Sequence, residues 1–245
     1  MRIFFDTWAY LTDPANWSGA GGMGNLLVEQ VWLTFTALIL AVLLGLPLAV
    51  WFGHLGRGGF VAINTSNVGR AVPTFALLAL LVTVPWPGVA TFGPYGRAGI
   101  ATLIALTLFA LPPIITHGYV AIREVPEEMK EAARGMGMTG WQRFTRVELP
   151  LAAPLIVSGV RLALVQVWAT ATIAAMVAGP GLGNVITAGF YRGNYPKGIA
   201  GAVVVAVIAL VLELAMALVQ RRVDLTRRTS RPTREAVPQT DPAAT

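Results

Sequence analysis

Arg123-Glu-Val-Pro-Glu-Glu-Met-Lys-Glu-Ala-Ala-Arg-Gly-Met-Gly-Met-Thr-Gly-Trp-Gln-Arg-Phe-Thr-Arg-Val-Glu-Leu-Pro150 is the longest charge-rich interruption between two strongly apolar segments of the chain. Its local signals predict helix, glycine turn, helix. Pro126 suits a first helical position, where its missing N–H costs nothing, and Glu127 and Glu128 then place negative charge at the positive end of the helix dipole. Met129, Ala132, Ala133 and Met136 recur at i, i+3, i+4 and i+7 as one narrow apolar stripe, with Lys130, Glu131 and Arg134 directed elsewhere. Gly135 and Gly137 supply the permissive backbone that ends such a helix, and Thr139 with Gln142 forms a capping box that opens a second. Small residues let another surface approach the backbone, and the charges beside them set register, which suits docking better than catalysis. The residues alone leave two readings open, a docking helix and a solvated amphipathic loop helix.

On either side of this stretch the composition is that of a bilayer protein. Of the 245 residues 55% are hydrophobic and 12% charged, against about a quarter charged in ordinary soluble domains. The length allows one domain of a handful of spans, so any soluble ligand-binding or nucleotide-binding module belongs to separate chains. The net charge of +6 comes from basic residues beside apolar spans and in the C-terminal tail, the pattern of membrane topology rather than of nucleic-acid binding. With no cysteine, the chain has no disulfide, thiolate metal site or thiol nucleophile.

Five spans are expected. Residues 1–24 read as an external lead-in carrying Trp8, Tyr10 and Trp17, either interfacial or a disordered tail. Val31 to Phe52 holds no charge, and its 22 residues reach about 33 Å, enough to cross a hydrocarbon core of about 30 Å, with a kink expected at Pro47. A second span, about Phe60 to Trp86, carries Asn64, Asn67 and Arg70 in its first half, residues that normally face a bundle interior, a pathway or a partner; Arg70 can equally snorkel to the interface. A third, about Gly99 to Ile122, is expected to break at Pro112 and Pro113, and His117 within it reads as packed rather than ligating. The fourth, Leu149 to Val177, is entered through Pro150 and Pro154 and contains Arg161, which either snorkels or pairs with a carboxylate such as Glu213 on the fifth, Ile199 to Val219. Gly179-Pro-Gly-Leu-Gly183 lacks a preceding strand and a following Gly-Lys-Ser/Thr, so it bends the chain rather than binding phosphate. A basic tail, 221–245, follows the 25–220 membrane domain.

Glu131-Ala132-Ala133, three residues, Gly137, nine residues, then Val147-x-Leu149-Pro150 resembles the EAA loop of binding-protein-dependent ABC importer permeases, with Val147 where that family usually has Ile. Gly69 to Leu81, Ala132 to Thr139 and Gly179 to Gly183 further resemble the osmoprotectant branch, the glycine betaine, carnitine and choline permeases, over roughly residues 25 to 220. Methionine and other amino-acid permeases share that scaffold. The resemblance implies an all-α, polytopic type I importer permease of about five transmembrane helices plus a cytoplasmic coupling helix. It implies that Glu131, Ala132, Ala133, Gly137, Leu149 and Pro150 serve ATPase docking. The partners it implies are a cytoplasmic ABC ATPase dimer that holds ATP and Mg, an extracytoplasmic substrate-binding protein, and a second permease protomer, identical or sister. This chain would bind no cofactor of its own, and quaternary-ammonium selectivity would rest in an aromatic cage on the binding protein, so Trp86 and Trp168 need not be ligands.

Charge counting gives orientation without any motif. The turn at 53–59, the loop at 123–148 and the tail carry twelve Lys and Arg against four in the other exposed segments, which puts the N-terminus outside and the C-terminus in the cytoplasm of a bacterial plasma membrane. Asn67, Arg70, Pro73, Arg161 and Glu213 are the candidates for pathway or interface. An ATP-independent carrier would want more ionisable residues near the midplane, and an intramembrane enzyme would want a Ser/His pair, an HExxH or paired carboxylates, none of which stands out.

Overall fold

A computed structural model describes residues 2–19, 21–59, 64, 72–84 and 96–224, and among these the chain is helical with no strand. The helices are α1 (Arg2–Thr12), α2 (Met23–Leu55), α3 (Thr74–Thr83), α4 (Gly96–Arg123), α5 (Glu127–Gly135), α6 (Gly140–Arg143), α7 (Leu149–Ala174), α8 (Gly183–Tyr191) and α9 (Tyr195–Val223). Among the described residues four stretches are long and apolar enough to cross a membrane: Met23–Leu55, Ala98–Arg123, Gly140–Val177 and Tyr195–Val223. The expected second span lies partly outside the described residues, Asn67 and Arg70 with it; its described part includes the ten-residue α3, which starts behind Pro73 as N-cap. Residues 85–95 and the tail from 225 also lie outside the described residues.

The centre of the bundle is α2 against α4 against α7. Leu33, Ala37, Leu38 and Ala41 meet Leu106, Ala110 and Ile114, and Ala163, Leu164, Val167 and Ala171 close the third side. Alanine at these positions lets the helices approach closely, the device that packs helices where lipid removes the hydrophobic drive between them. Gly159 takes this furthest, since a Cβ there would stand 2.4 Å from His117 Cβ. His117 is accordingly a packing residue, its Nδ1 2.9 Å from the Pro113 carbonyl.

The double proline does not break α4, which runs through Pro112 and Pro113 without interruption. Two prolines deprive only the carbonyls four residues earlier, and side chains packed on both flanks hold the helical path. α2 likewise continues through Pro47 to Leu55. The N-terminal lead-in contains a helix, α1, which its short aromatic-rich sequence did not announce. Tyr10, Leu11 and Trp17 from this segment pack around Met23, Leu182 and Val185 at one end of the bundle. Close by, buried Gln30 donates to Thr172 Oγ1 at 2.9 Å and accepts from the Leu182 N–H at 2.9 Å, which ties the Gly179–Gly183 bend to α2 and α7. The opposite end, around Val50, Ala121, Ile122, Val125 and Phe144, carries the charge-rich loop.

Candidate functional site

Pro126 is the N-cap of α5 rather than its first residue, so the helix opens on Glu127 and Glu128 and closes with Arg134, all complementary to its dipole. The end is a Schellman turn: Gly137 N–H bonds Arg134 O at 2.9 Å and Met138 N–H bonds Ala133 O at 3.1 Å. Gly137 needs its φ of 77°, not space, because nothing lies within 4 Å of where a Cβ would sit. The capping box forms as its residues predict, with Gln142 N–H on Thr139 Oγ1 at 3.3 Å and Thr139 N–H on Gln142 Oε1 at 2.9 Å. From Gly140 the chain is continuously helical to Val177, passing through a π-helical turn, Phe144–Glu148, where Leu149 N–H reaches back to Phe144 O. Pro150 explains the wider turn: it cannot bond the carbonyl of Arg146, and its ring would crowd that carbonyl in a regular helix.

α5 has two faces, and they are not the two that its apolar spacing suggests. Ala133 and Lys130 are buried against the bundle, whereas Met129 and Met136 are 47% and 70% exposed. Lys130 was expected to point away; instead its side chain lies inward, its aliphatic stem covered, and its ammonium is 3.4 Å from Glu127. Glu131 and Ala132 are exposed with Glu128 on the side away from the bundle. Two methionines, a small residue and acidic groups thus form a surface that this chain leaves uncovered.

What joins the neighbouring helix ends is a carboxylate that sequence reasoning missed. Glu148, 2% exposed, has Oε2 2.5 Å from His54 Nδ1 at the end of α2 and Oε1 2.8 Å from Arg143 Nε on α6. Aromatic rings surround the join, with Phe144 centred 5.1 Å from His54 and 5.7 Å from Trp141. Helix α2, helix α6 and the start of α7 are therefore fixed to one another at a single carboxyl group. The only sequence signal was a charged residue between the paired apolar positions Val147 and Leu149; its partner lies 94 residues away. Leu149 and Pro150 begin α7 directly behind this join.

Of the candidates for pathway or interface, Pro73 caps α3, and Arg161 and Glu213 meet. Arg161 Nε and Nη2 both donate to Glu213 Oε1, the first at 2.9 Å, and Nη1 donates to Gln220 Oε1 at 2.9 Å, so one guanidinium fastens α7 to two turns of α9. Trp168 is buried and its indole N–H donates to Val205 O at 3.1 Å. Among the described residues no group of three or more His, Asp or Glu side chains is assembled to hold a metal ion. Arg161→Leu is expected to lower unfolding stability in detergent by roughly 1–3 kcal/mol, less than the loss of a fully buried pair because both side chains keep about a third of their surface open. The Arg161→Leu/Glu213→Leu double variant should recover most of that loss.

Residues 41–225, which contain this whole assembly, match the family described as the binding-protein-dependent transport system inner membrane component. The chain belongs to that family. It is a multi-pass membrane protein and a transport subunit. The permease is 36% identical over 218 residues to the carnitine transport permease protein OpuCB of Listeria monocytogenes, covering 86% of this chain and 94% of that one. It is 34% identical over 196 residues to the osmoprotectant import permease protein OsmY of Salmonella typhimurium, covering 79% of each. To the glycine betaine/carnitine/choline transport system permease protein OpuCB of Bacillus subtilis it is 30% identical over 197 residues, 80% of this chain and 85% of the relative. Among solved structures, the inward-facing MetNI methionine ABC transporter superposes with a TM-score of 0.67 at 24% identity, over 80% of this chain and 93% of that one. That likeness establishes the permease fold.

Proposed function

We propose that this permease is the membrane subunit of an ATP-driven importer for osmoprotectants of the glycine betaine, carnitine and choline class. In this reading α5 is the handle that a cytoplasmic ATPase dimer grips. Glu131 and Ala132 meet the ATPase, flanked by Met129 and Met136; Ala133 seats the helix on its own bundle, Gly137 ends it, and Leu149 and Pro150 start the span that receives the motion. ATP and Mg stay on the ATPase, and this chain holds no cofactor. A loaded substrate-binding protein delivers solute at the outer face, and a second permease protomer completes the pathway. The N-terminus is outside and the C-terminus cytoplasmic, on the distribution of Lys and Arg.

The single observation that carries the reading is the division of α5 into an anchored side, Lys130 and Ala133, and an uncovered side of methionine, alanine and glutamate. Methionine at an open surface is adaptable and suits a protein partner. Closure of the ATPase dimer would displace α5, and the Glu148 join would pass that displacement to α2 and α7 as rigid bodies. Proteoliposomes containing the full transporter should take up radiolabelled betaine, carnitine or choline only with ATP, the ATPase and the binding protein present. Uptake that persists without ATP would make the chain a secondary carrier, and ATP-dependent uptake of an amino acid in place of these solutes would correct the substrate class.

A further inference from the structure

Behind α5, on the side away from its uncovered face, lies a cavity of about 200 Å³ between the ends of α2 and α4. Arg123, Lys130, Arg134 and Arg143 line it with Glu127 and Glu148, which leaves two positive charges uncompensated before His54 is counted. We propose that this cavity binds a phosphate-class oxyanion, supplied either as the headgroup of an anionic lipid or as free phosphate.

The charges divide by availability. Glu148 is engaged by His54 and Arg143 at 2.5 and 2.8 Å. Glu127 is shared between Lys130 and Arg134 at 3.4 Å each, well beyond the roughly 2.7–2.9 Å of a good charge-assisted hydrogen bond. Arg123 makes no ion pair among the described residues. Its guanidinium lies against Gly56, where a Cβ would come within 3.1 Å of Nη1, so the missing side chain at 56 lets the fork close over the end of α2. Lys130 keeps only 10% of its side chain exposed for that one long contact. A buried ammonium is stable when paired, and this one has donors to spare. Arg123 offers the planar fork that matches phosphate oxygens, and Lys130 the point charge beside it.

The cavity lies at the ends of two apolar helices, and Met129, Glu131, Ala132 and Met136 of the surface assigned to the ATPase are not among its lining residues. An oxyanion there would link α5 to the ends of α2 and α4 without competing for that surface. The inference concerns this chain alone and does not depend on the docking reading or the transported solute.

The full-length permease in nanodiscs supplies the test. In discs of neutral phosphatidylcholine, inorganic phosphate is titrated against chloride at equal ionic strength while the unfolding temperature is followed; in parallel, phosphatidylglycerol replaces part of the neutral lipid. At least one titration is expected to raise the unfolding temperature saturably. A response to phosphate in neutral discs identifies a free ion, and a response confined to phosphatidylglycerol identifies a headgroup. Arg123→Gln, at an exposed rim position, should fold normally and shift the midpoint about tenfold or more, as loss of one charge-assisted hydrogen-bonding group implies, while Arg192→Gln at the other end of the bundle leaves it in place. Lys130→Gln should weaken the same response. No saturable response to either anion, or an Arg123→Gln midpoint equal to that of the parent chain, would overturn the proposal.

Discussion

Glu148→Ala should reduce ATP-driven uptake roughly tenfold or more and lower unfolding stability by about 3–5 kcal/mol, the range for breaking a buried ionic contact by deleting one partner. The carboxylate is almost fully enclosed, and Arg143, itself 17% exposed, has no other carboxylate partner among the described residues. Removing the acid leaves a largely enclosed guanidinium without its carboxylate, opens a small void beside His54, and frees α2 from α6. Glu148→Gln preserves volume and some hydrogen bonding, so it should fall between parent and alanine variant. The transport phenotype is the more diagnostic part. The uncovered face of α5 is untouched by the change, so the ATPase should still co-purify and hydrolyse ATP, while solute moved per ATP consumed falls. Denaturation in detergent and the ratio of uptake to phosphate release in proteoliposomes measure the two effects separately. Loss of uptake in strict proportion to the amount of folded transporter would assign Glu148 a purely structural role.

The second large effect is expected at the helix end. Gly137→Val places a β-branched residue at φ 77°, a conformation that disfavours any Cβ and this kind most, at a local cost of about 2 kcal/mol. The space around the site is open, so the penalty is one of backbone strain, relieved by unwinding the Schellman turn on which Met138 and Gly137 depend. α5 then loses its fixed end and its exposed residues lose their register. Glu131→Lys makes the complementary change, reversing a charge on the exposed side while leaving the backbone intact. Its stability should stay within about 0.5 kcal/mol of the parent chain, as for most surface substitutions. Both variants should insert in the membrane at normal levels and lose most ATPase association and uptake, measured by co-purification at matched salt and by transport. Normal co-purification and normal uptake in both would remove the case for α5 as the docking element.

These effects rest on residues that differ in how plainly the sequence displayed them. The ends of α5 and the Thr139–Gln142 capping box are local, set by neighbours within four positions, and were legible. The apolar stripe was legible as a period but not as a direction. Met129 and Met136 stand exposed, yet Ala133 of the same stripe turns to the bundle with Lys130 beside it. A periodicity argument assumes that the chain buries its apolar side on itself; this helix instead buries a lysine stem and an alanine. Pro112 and Pro113 misled for a related reason, because a rule for isolated helices overstates the damage where packing on both flanks supports the path. The Glu148–His54 contact joins residues far apart in the chain, and no local pattern announces such a pair. In the sequence, Arg161 with Glu213 is one of two alternatives, since charges placed in apolar spans favour partners without specifying which.

The coupling claim is tested most directly at Met136. The chain contains no cysteine, so Met136→Cys introduces a unique thiol on the exposed side of α5. Membrane vesicles of both orientations are treated with a membrane-impermeant maleimide, with and without the ATPase bound. The thiol should react only in inside-out vesicles, and bound ATPase should protect it. Reaction from the outer face, or equal reaction with the ATPase present and absent, would contradict the assignment of α5 as the element through which ATP hydrolysis drives this permease.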